Sequence, residues 1–274
     1  MTIKNNWITT SLVERTSKNL CPFTMTINPY SFEIDSFKNN SKRVAKEICE
    51  THKDVYVFYS GGMDSEYVLK VFLDEKLPVT PVLIVTPFNM EELSYAVKFC
   101  KNKNIKPFII EYDSYKMYRI MSYKCFEKGY FSFIAALHLD ACDIISDRGG
   151  TVVTGYGEPF IGPFGLPEAK NIKRVNFMEG DYYIEYHPGN HVGSFFTYDL
   201  SLHFSMLNDI TLVGNLQNSK SNLYEVEYRP KISWSKEFLT TVNLFQDKSI
   251  DWFIAPEIEK YKNIILGKES VTLT

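Results

Sequence analysis

Along this chain the hydrophobic positions keep two rhythms in alternation. Short runs rich in β-branched and aromatic residues read as strands: Val55 to Tyr59, Val79 to Thr86, Lys106 to Tyr112 and Thr151 to Thr154. The Val79 to Thr86 run is nearly all apolar, as in a sheet covered on both faces. Between them the spacing turns helical. Ser41 to Thr51 carries Val44, Ala45 and Ile48 on one face, and the stretch after Asp64 carries Tyr67, Val68, Val71 and Phe72. Asn89 to Lys103 reads as a helix capped by Asn89, with Glu91 and Glu92 in its first turn. Ser114 to Lys124 and Tyr130 to Asp147 complete the set. Strand and helix alternate throughout, so the expected fold class is α/β, a doubly wound parallel sheet spanning residues 51–160.

Residues 1–50 precede this core as an extension, in which Asn19 to Asp35, with Pro22 and Pro29, reads as short strands or an irregular packed arm before the Ser41 helix. Residues 161–274 read as an α+β region closing over it. Phe160 to Pro167 is a Gly/Pro-rich loop, and Ile172 to Phe177 with Tyr182 to Tyr186 flank a hairpin signal at Met178-Glu179-Gly180-Asp181. Ser194 to Leu207 looks helical, a further helix opens at Ser233 or Ser235, and Ser249 to Thr274 suits a docking helix and tail.

The richest chemistry lies where the first core strand meets its helix: Tyr59-Ser60-Gly61-Gly62-Met63-Asp64-Ser65. A glycine turn between strand and helix leaves backbone N–H groups at the positive end of a helix dipole, a ready site for phosphate. Ser60 and Ser65 add hydroxyl donors. Asp64 would repel phosphates unless a cation lies between them, and magnesium, held by a carboxylate plus phosphate oxygens, suits that place. After the last core strand comes Thr154-Gly155-Tyr156-Gly157-Glu158-Pro159, where Glu158 would enter the same crevice and complete a magnesium cradle.

Ser-Gly-Gly-x-Asp-Ser in this setting resembles the pyrophosphate loop of the N-type ATP pyrophosphatases, and the Gly-x-Gly-x-Glu stretch is similar to a segment of their asparagine synthetase and β-lactam synthetase group. The resemblance implies cleavage of ATP between the α- and β-phosphates. It places pyrophosphate on Ser60, Gly61, Gly62, Met63, Asp64 and Ser65, adenine near Val85 and Thr86, and magnesium on Asp64 and Glu158. It further implies a late lysine over the phosphates, Lys231 or Lys236, from a basic trio that includes Arg229. A carboxylate, amide or ureido oxygen of a small molecule would attack the α-phosphorus, and a nitrogen nucleophile would then displace AMP. Glu66 departs from the pattern, since many members carry a small or hydroxyl residue there. Thr2 stands where glutamine-dependent asparagine synthetases expose a cysteine, so ammonia is expected free or from a partner subunit.

Composition narrows the field. Hydrophobic content of 45% and charged content of 23% over 274 residues suit a globular enzyme with a sizeable core. A net charge of −3 gives no electrostatic footprint for nucleic acid, which lowers tRNA modification or thiolation as an alternative without removing it. No apolar run is long enough to span a membrane, and five dispersed cysteines without a C-x-x-C pair fit reduced thiols in a cytoplasm. Cys125 and Cys142 are the candidates for any sulfur transfer. His187 and His191 flank a Pro-Gly turn that reads as pocket lining rather than a zinc site, for which Asp199 or His203 would be the third ligand. A further alternative is a nucleotide-binding module without turnover.

Overall fold

In a computed structural model the structure describes residues 8–12, 23–27, 35–122, 133–158, 160–161, 173–174, 191–210 and 216–229. Lys231, Lys236, Cys125, His187, the expected strand 182–186 and the segment 249–274 lie outside them.

Among the described residues the chain forms nine strands and seven helices. β1 (Ile8–Leu12) pairs antiparallel with β2 (Phe23–Ile27). The core runs α1 (Phe37–Thr51), β3 (Val55–Phe58), α2 (Met63–Asp74), β4 (Thr80–Val85), α3 (Met90–Asn102), β5 (Phe108–Glu111), α4 (Ser114–Ser122), α5 (Phe133–Ser146) and β6 (Thr151–Thr154). β7 (Phe160–Ile161), β8 (Lys173–Arg174), β9 (His191–Ser194), α6 (Leu200–Asp209) and α7 (Leu216–Tyr224) follow. Five strands form one parallel sheet in the order β5-β4-β3-β6-β9. The fold is α/β and doubly wound.

The period of two along each strand explains why helices cover both faces. Val57, Tyr59, Leu83 and Val153 point into one core with α1, α2, α3, α6 and α7. Their neighbours Phe58, Val82 and Val152 point into the other, with α4 and α5. Chain order goes outward from β3 to β4 and β5, then returns to lay β6 on the other side of β3. The strand order therefore reverses between β3 and β6, and in such sheets the crevice beyond the strand ends at that point is the binding place.

Several boundaries differ from the expected ones for identifiable reasons. α1 begins at Phe37, not Ser41, because the Ser36 side chain accepts a hydrogen bond from the Asn39 amide. The polar residues Asn40 and Ser41 that obscure this turn in the sequence are buried, Ser41 Oγ donating to the Phe37 carbonyl at 2.7 Å. Asn89 stands at the N-cap of α3 but turns its side chain away: Nδ2 donates to the Ile84 carbonyl and Oδ1 accepts from the Thr86 amide. α6 starts at Leu200, where the Asp199 carboxylate accepts from the Leu202 amide at 2.7 Å. Ser194, expected at the start of that helix, instead closes β9, whose His-Val-Gly-Ser lacks the aliphatic run that marks the other core strands. β8 pairs antiparallel with β7.

Candidate functional site

The loop between β3 and α2 is built by its own side chains. Gly61 sits at φ +96°, and a Cβ there would lie 2.2 Å from the Glu92 carbonyl oxygen of α3. Only glycine lets the chain turn this tightly against α3. Ser65 Oγ donates to the Gly62 carbonyl at 3.1 Å and accepts from the Ser60 amide at 3.3 Å, and the Ser60 and Ser65 hydroxyls share a hydrogen bond of 3.2 Å. Gly62 is the N-cap of α2 and offers no side-chain acceptor, so the first-turn amides are left toward the crevice. Glu92 hydrogen-bonds Ser60, and burial outweighs that bond to raise its carboxyl above the usual range.

The stretch after β6 is pressed against this loop. A Cβ on Gly155 would come within 2.9 Å of the Ser65 Cα, so glycine permits the two segments to touch. The Ser194 hydroxyl of β9 donates to the Tyr156 carbonyl, and the Tyr156 hydroxyl shares a 2.5 Å hydrogen bond with His138 Nδ1 on α5. Burial pushes His138 down to about 4, so its imidazole is neutral near pH 7. Three contacts thus aim Glu158 back toward Asp64.

A residue that the sequence does not single out joins them. Lys220 of α7, its side chain only 3% exposed, places Nζ 2.9 Å from Asp64 Oδ1 and 2.7 Å from Glu158 Oε1. Burial alone would lower its pKa, but the two carboxylates more than offset this and raise it, so the ammonium is charged. Burial and the Asp64 charge push Glu158 up, with Lys220 opposing. The Tyr224 hydroxyl donates to Asp64 Oδ1 at 2.8 Å. Tyr224 is held there by stacking on Tyr67 at 4.5 Å, beside Phe37 and Phe196. Leu216, Lys220, Leu223 and Tyr224 recur at helical spacing, so the available signal is a lysine on an apolar stripe.

Glu66, the departure from the expected pattern, faces away from the crevice. Its carboxylate accepts from the Tyr59 hydroxyl at 2.5 Å and from Arg229 Nη2 at 2.7 Å. Arg229 Nη1 donates to the Gly61 carbonyl, and its guanidinium lies 4.8 Å from the centre of the Tyr95 ring. Arg229 therefore staples the segment after α7 onto the turn. Its pairing sets it apart from a cation free to meet phosphate.

Val85 and Thr86, expected near adenine, are arranged differently from the turn. Thr86 is 2% exposed with its amide and hydroxyl both bonded to Asn89 Oδ1, while the Val85 carbonyl accepts from the Tyr112 amide. Cys142 is fully buried in the α4–α5 core. His191, Asp199 and His203 do not converge: His203 bonds the Phe196 carbonyl, and Asp199 caps α6 and pairs with Arg43. Among the described residues no group of three or more His, Cys, Asp or Glu could hold a metal ion. Asp64 and Glu158 supply two carboxylates, the donor set expected of magnesium that draws its remaining ligands from phosphate and water. No helix of the described residues is long and apolar enough to cross a membrane.

No protein-family model matches the chain, and no curated protein matches it. Among solved structures it is similar to an NH3-dependent NAD synthetase from Campylobacter jejuni, with 14% identity over 88% of this chain and 99% of the other and a TM-score of 0.35. It is similar to an NMN synthetase from Francisella tularensis at 12% identity, 88% and 98% coverage and a TM-score of 0.35. A PAPS reductase from Candida auris follows at 12% identity, 66% and 92% coverage and a TM-score of 0.33.

Proposed function

We propose that this protein is an ATP-dependent adenylating enzyme that releases pyrophosphate from ATP. The observation that carries the reading is the meeting, at the β3–β6 reversal, of an uncapped glycine turn with the Lys220–Asp64–Glu158 cluster. Pyrophosphate would lie on the Ser60–Ser65 turn, where amides and hydroxyls replace its hydration. Bound magnesium would polarise the phosphates and neutralise charge on the departing group. Asp64 and Glu158 would hold it, and Lys220, displaced from between them, would supply a cation beside the leaving oxygens. The His138–Tyr156 hydrogen bond braces the stretch that carries Glu158, and the acceptor would enter between this stretch and the glycine turn.

The acceptor we favour is a small molecule with a carboxylate, amide or ureido oxygen, activated as its adenylate and then attacked by ammonia or an amine. Oxygen attack at the α-phosphorus breaks the α–β bond, and nitrogen attack then expels AMP. The protein's contribution is alignment and charge stabilisation.

The test is pyrophosphate release from ATP and magnesium against pooled metabolites and, separately, tRNA. Release should require one small-molecule pool, and Asp64→Asn should lower it by about a hundredfold, as for loss of one preorganised charge-stabilising group. Stimulation by tRNA alone would reassign the acceptor. Equal release from the Asp64→Asn variant would end the Asp64 role.

A further inference from the structure

The Lys220 ammonium occupies the space in which a cation shared by Asp64 and Glu158 would sit. Its Nζ is 2.9 Å from one carboxylate and 2.7 Å from the other. A magnesium ion holding both would need oxygens at roughly 2.1 Å and could not share that space with an ammonium. The lysine must therefore move before both carboxylates can take a metal. It has little room to do so, because its side chain is 3% exposed and α7 is packed against α2 by the Tyr67–Tyr224 stack. An ammonium stripped of both counter-charges and kept from water is strongly disfavoured. An anion delivered at the same moment removes the difficulty. The α2 turn is beside it, since Asp64 belongs to the first turn of that helix.

We propose that Lys220 is an entry-order residue: it excludes free divalent cation from the Asp64–Glu158 pair and yields only when a phosphate chain arrives with the metal. One ammonium against two carboxylates leaves a formal charge of −1. The site is thus balanced enough to resist a lone cation, yet cannot retain the ammonium once two further positive charges enter. The phosphate chain both carries the metal in and receives the displaced ammonium. The inference rests on the nucleotide reading of the loop, deepening it from what binds to the order in which it binds.

The experiment is Mn2+ binding to the full chain, followed by electron paramagnetic resonance of the free ion, with and without the α,β-methylene analogue of ATP. Wild type should bind Mn2+ at least tenfold more tightly with the analogue than alone. Lys220→Met should bind Mn2+ alone at least tenfold more tightly than wild type, and its melting temperature should rise with added Mn2+. Wild type that binds the analogue yet takes Mn2+ alone as tightly as with it would overturn the proposal, and this comparison stands even if the variant does not fold. A folded Lys220→Met protein with no gain for Mn2+ would overturn it too. If neither protein binds the analogue while the variant gains Mn2+, the nucleotide reading fails and the exclusion by Lys220 stands. Analogue binding together with free Mn2+ uptake by wild type sinks the entry order and spares the nucleotide site.

Discussion

Replacing Glu66 with alanine is expected to destabilise the protein by about 3–5 kcal/mol, the range for removing one partner of a buried ion pair. The pair is buried on both sides, with side-chain exposures of 9% for Arg229 and 6% for Glu66. Glu66→Ala would leave the guanidinium with the Gly61 carbonyl, the Tyr59 hydroxyl and the Tyr95 ring as its neighbours, and the Tyr59 hydroxyl without its carboxylate acceptor. At the entropy of a domain this large, the loss corresponds to a melting temperature lower by on the order of ten degrees. The double variant Glu66→Leu with Arg229→Met should recover part of it, because swapping both charges for apolar groups of similar size is often neutral. Thermal unfolding of the two singles and the double decides the matter. Simple addition of the single losses would show that the pair is not a coupled unit.

The second large effect is expected at Gly61. Gly61→Ala puts a methyl 2.2 Å from the Glu92 carbonyl oxygen and 3.3 Å from the Ala96 amide, both of them backbone atoms of α3 that cannot swing aside. Backbone strain at φ +96° adds about 1–3 kcal/mol before the clash is relieved. The relief available is movement of the turn away from α3, which would also pull the Gly61 carbonyl from Arg229. We therefore expect nucleotide affinity to fall at least tenfold beyond any change in melting temperature. Titration with the α,β-methylene analogue, run where the variant is folded, measures it. Unchanged affinity in a folded Gly61→Ala protein would mean that the turn's conformation is not what recognises phosphate.

The sheet and its glycine turn are legible in the sequence because both are local. Val55 to Phe58 and Thr80 to Val85 announce themselves by β-branched runs, and the glycine turn lies within a few residues of the first. β9 escapes because it is a four-residue strand without aliphatic continuity, identified as a strand by pairing with β6. Lys220 escapes for a different reason: a lysine's role depends on what a helix brings it to, and Asp64 is 156 residues away. Arg229 stands out in the sequence as one of three late cations, yet its tie to Glu66 and Gly61 is a tertiary fact no spacing carries. Glu66 reads in the sequence as a departure from the expected loop pattern. It is the buried counter-charge of that tie.

The placement of α7 late in the chain has a bearing on biosynthesis. A nascent polypeptide that has emerged as far as residue 210 already contains the glycine turn, Asp64, Glu158 and all five strands of the sheet. It lacks Lys220, Tyr224 and Arg229, which together neutralise, brace and staple that turn. Because chains fold from the amino end as they are made, the sheet can form while its most acidic corner is still uncompensated. A chain released as far as residue 210 therefore carries the Asp64 and Glu158 carboxylates without the ammonium that pairs with them.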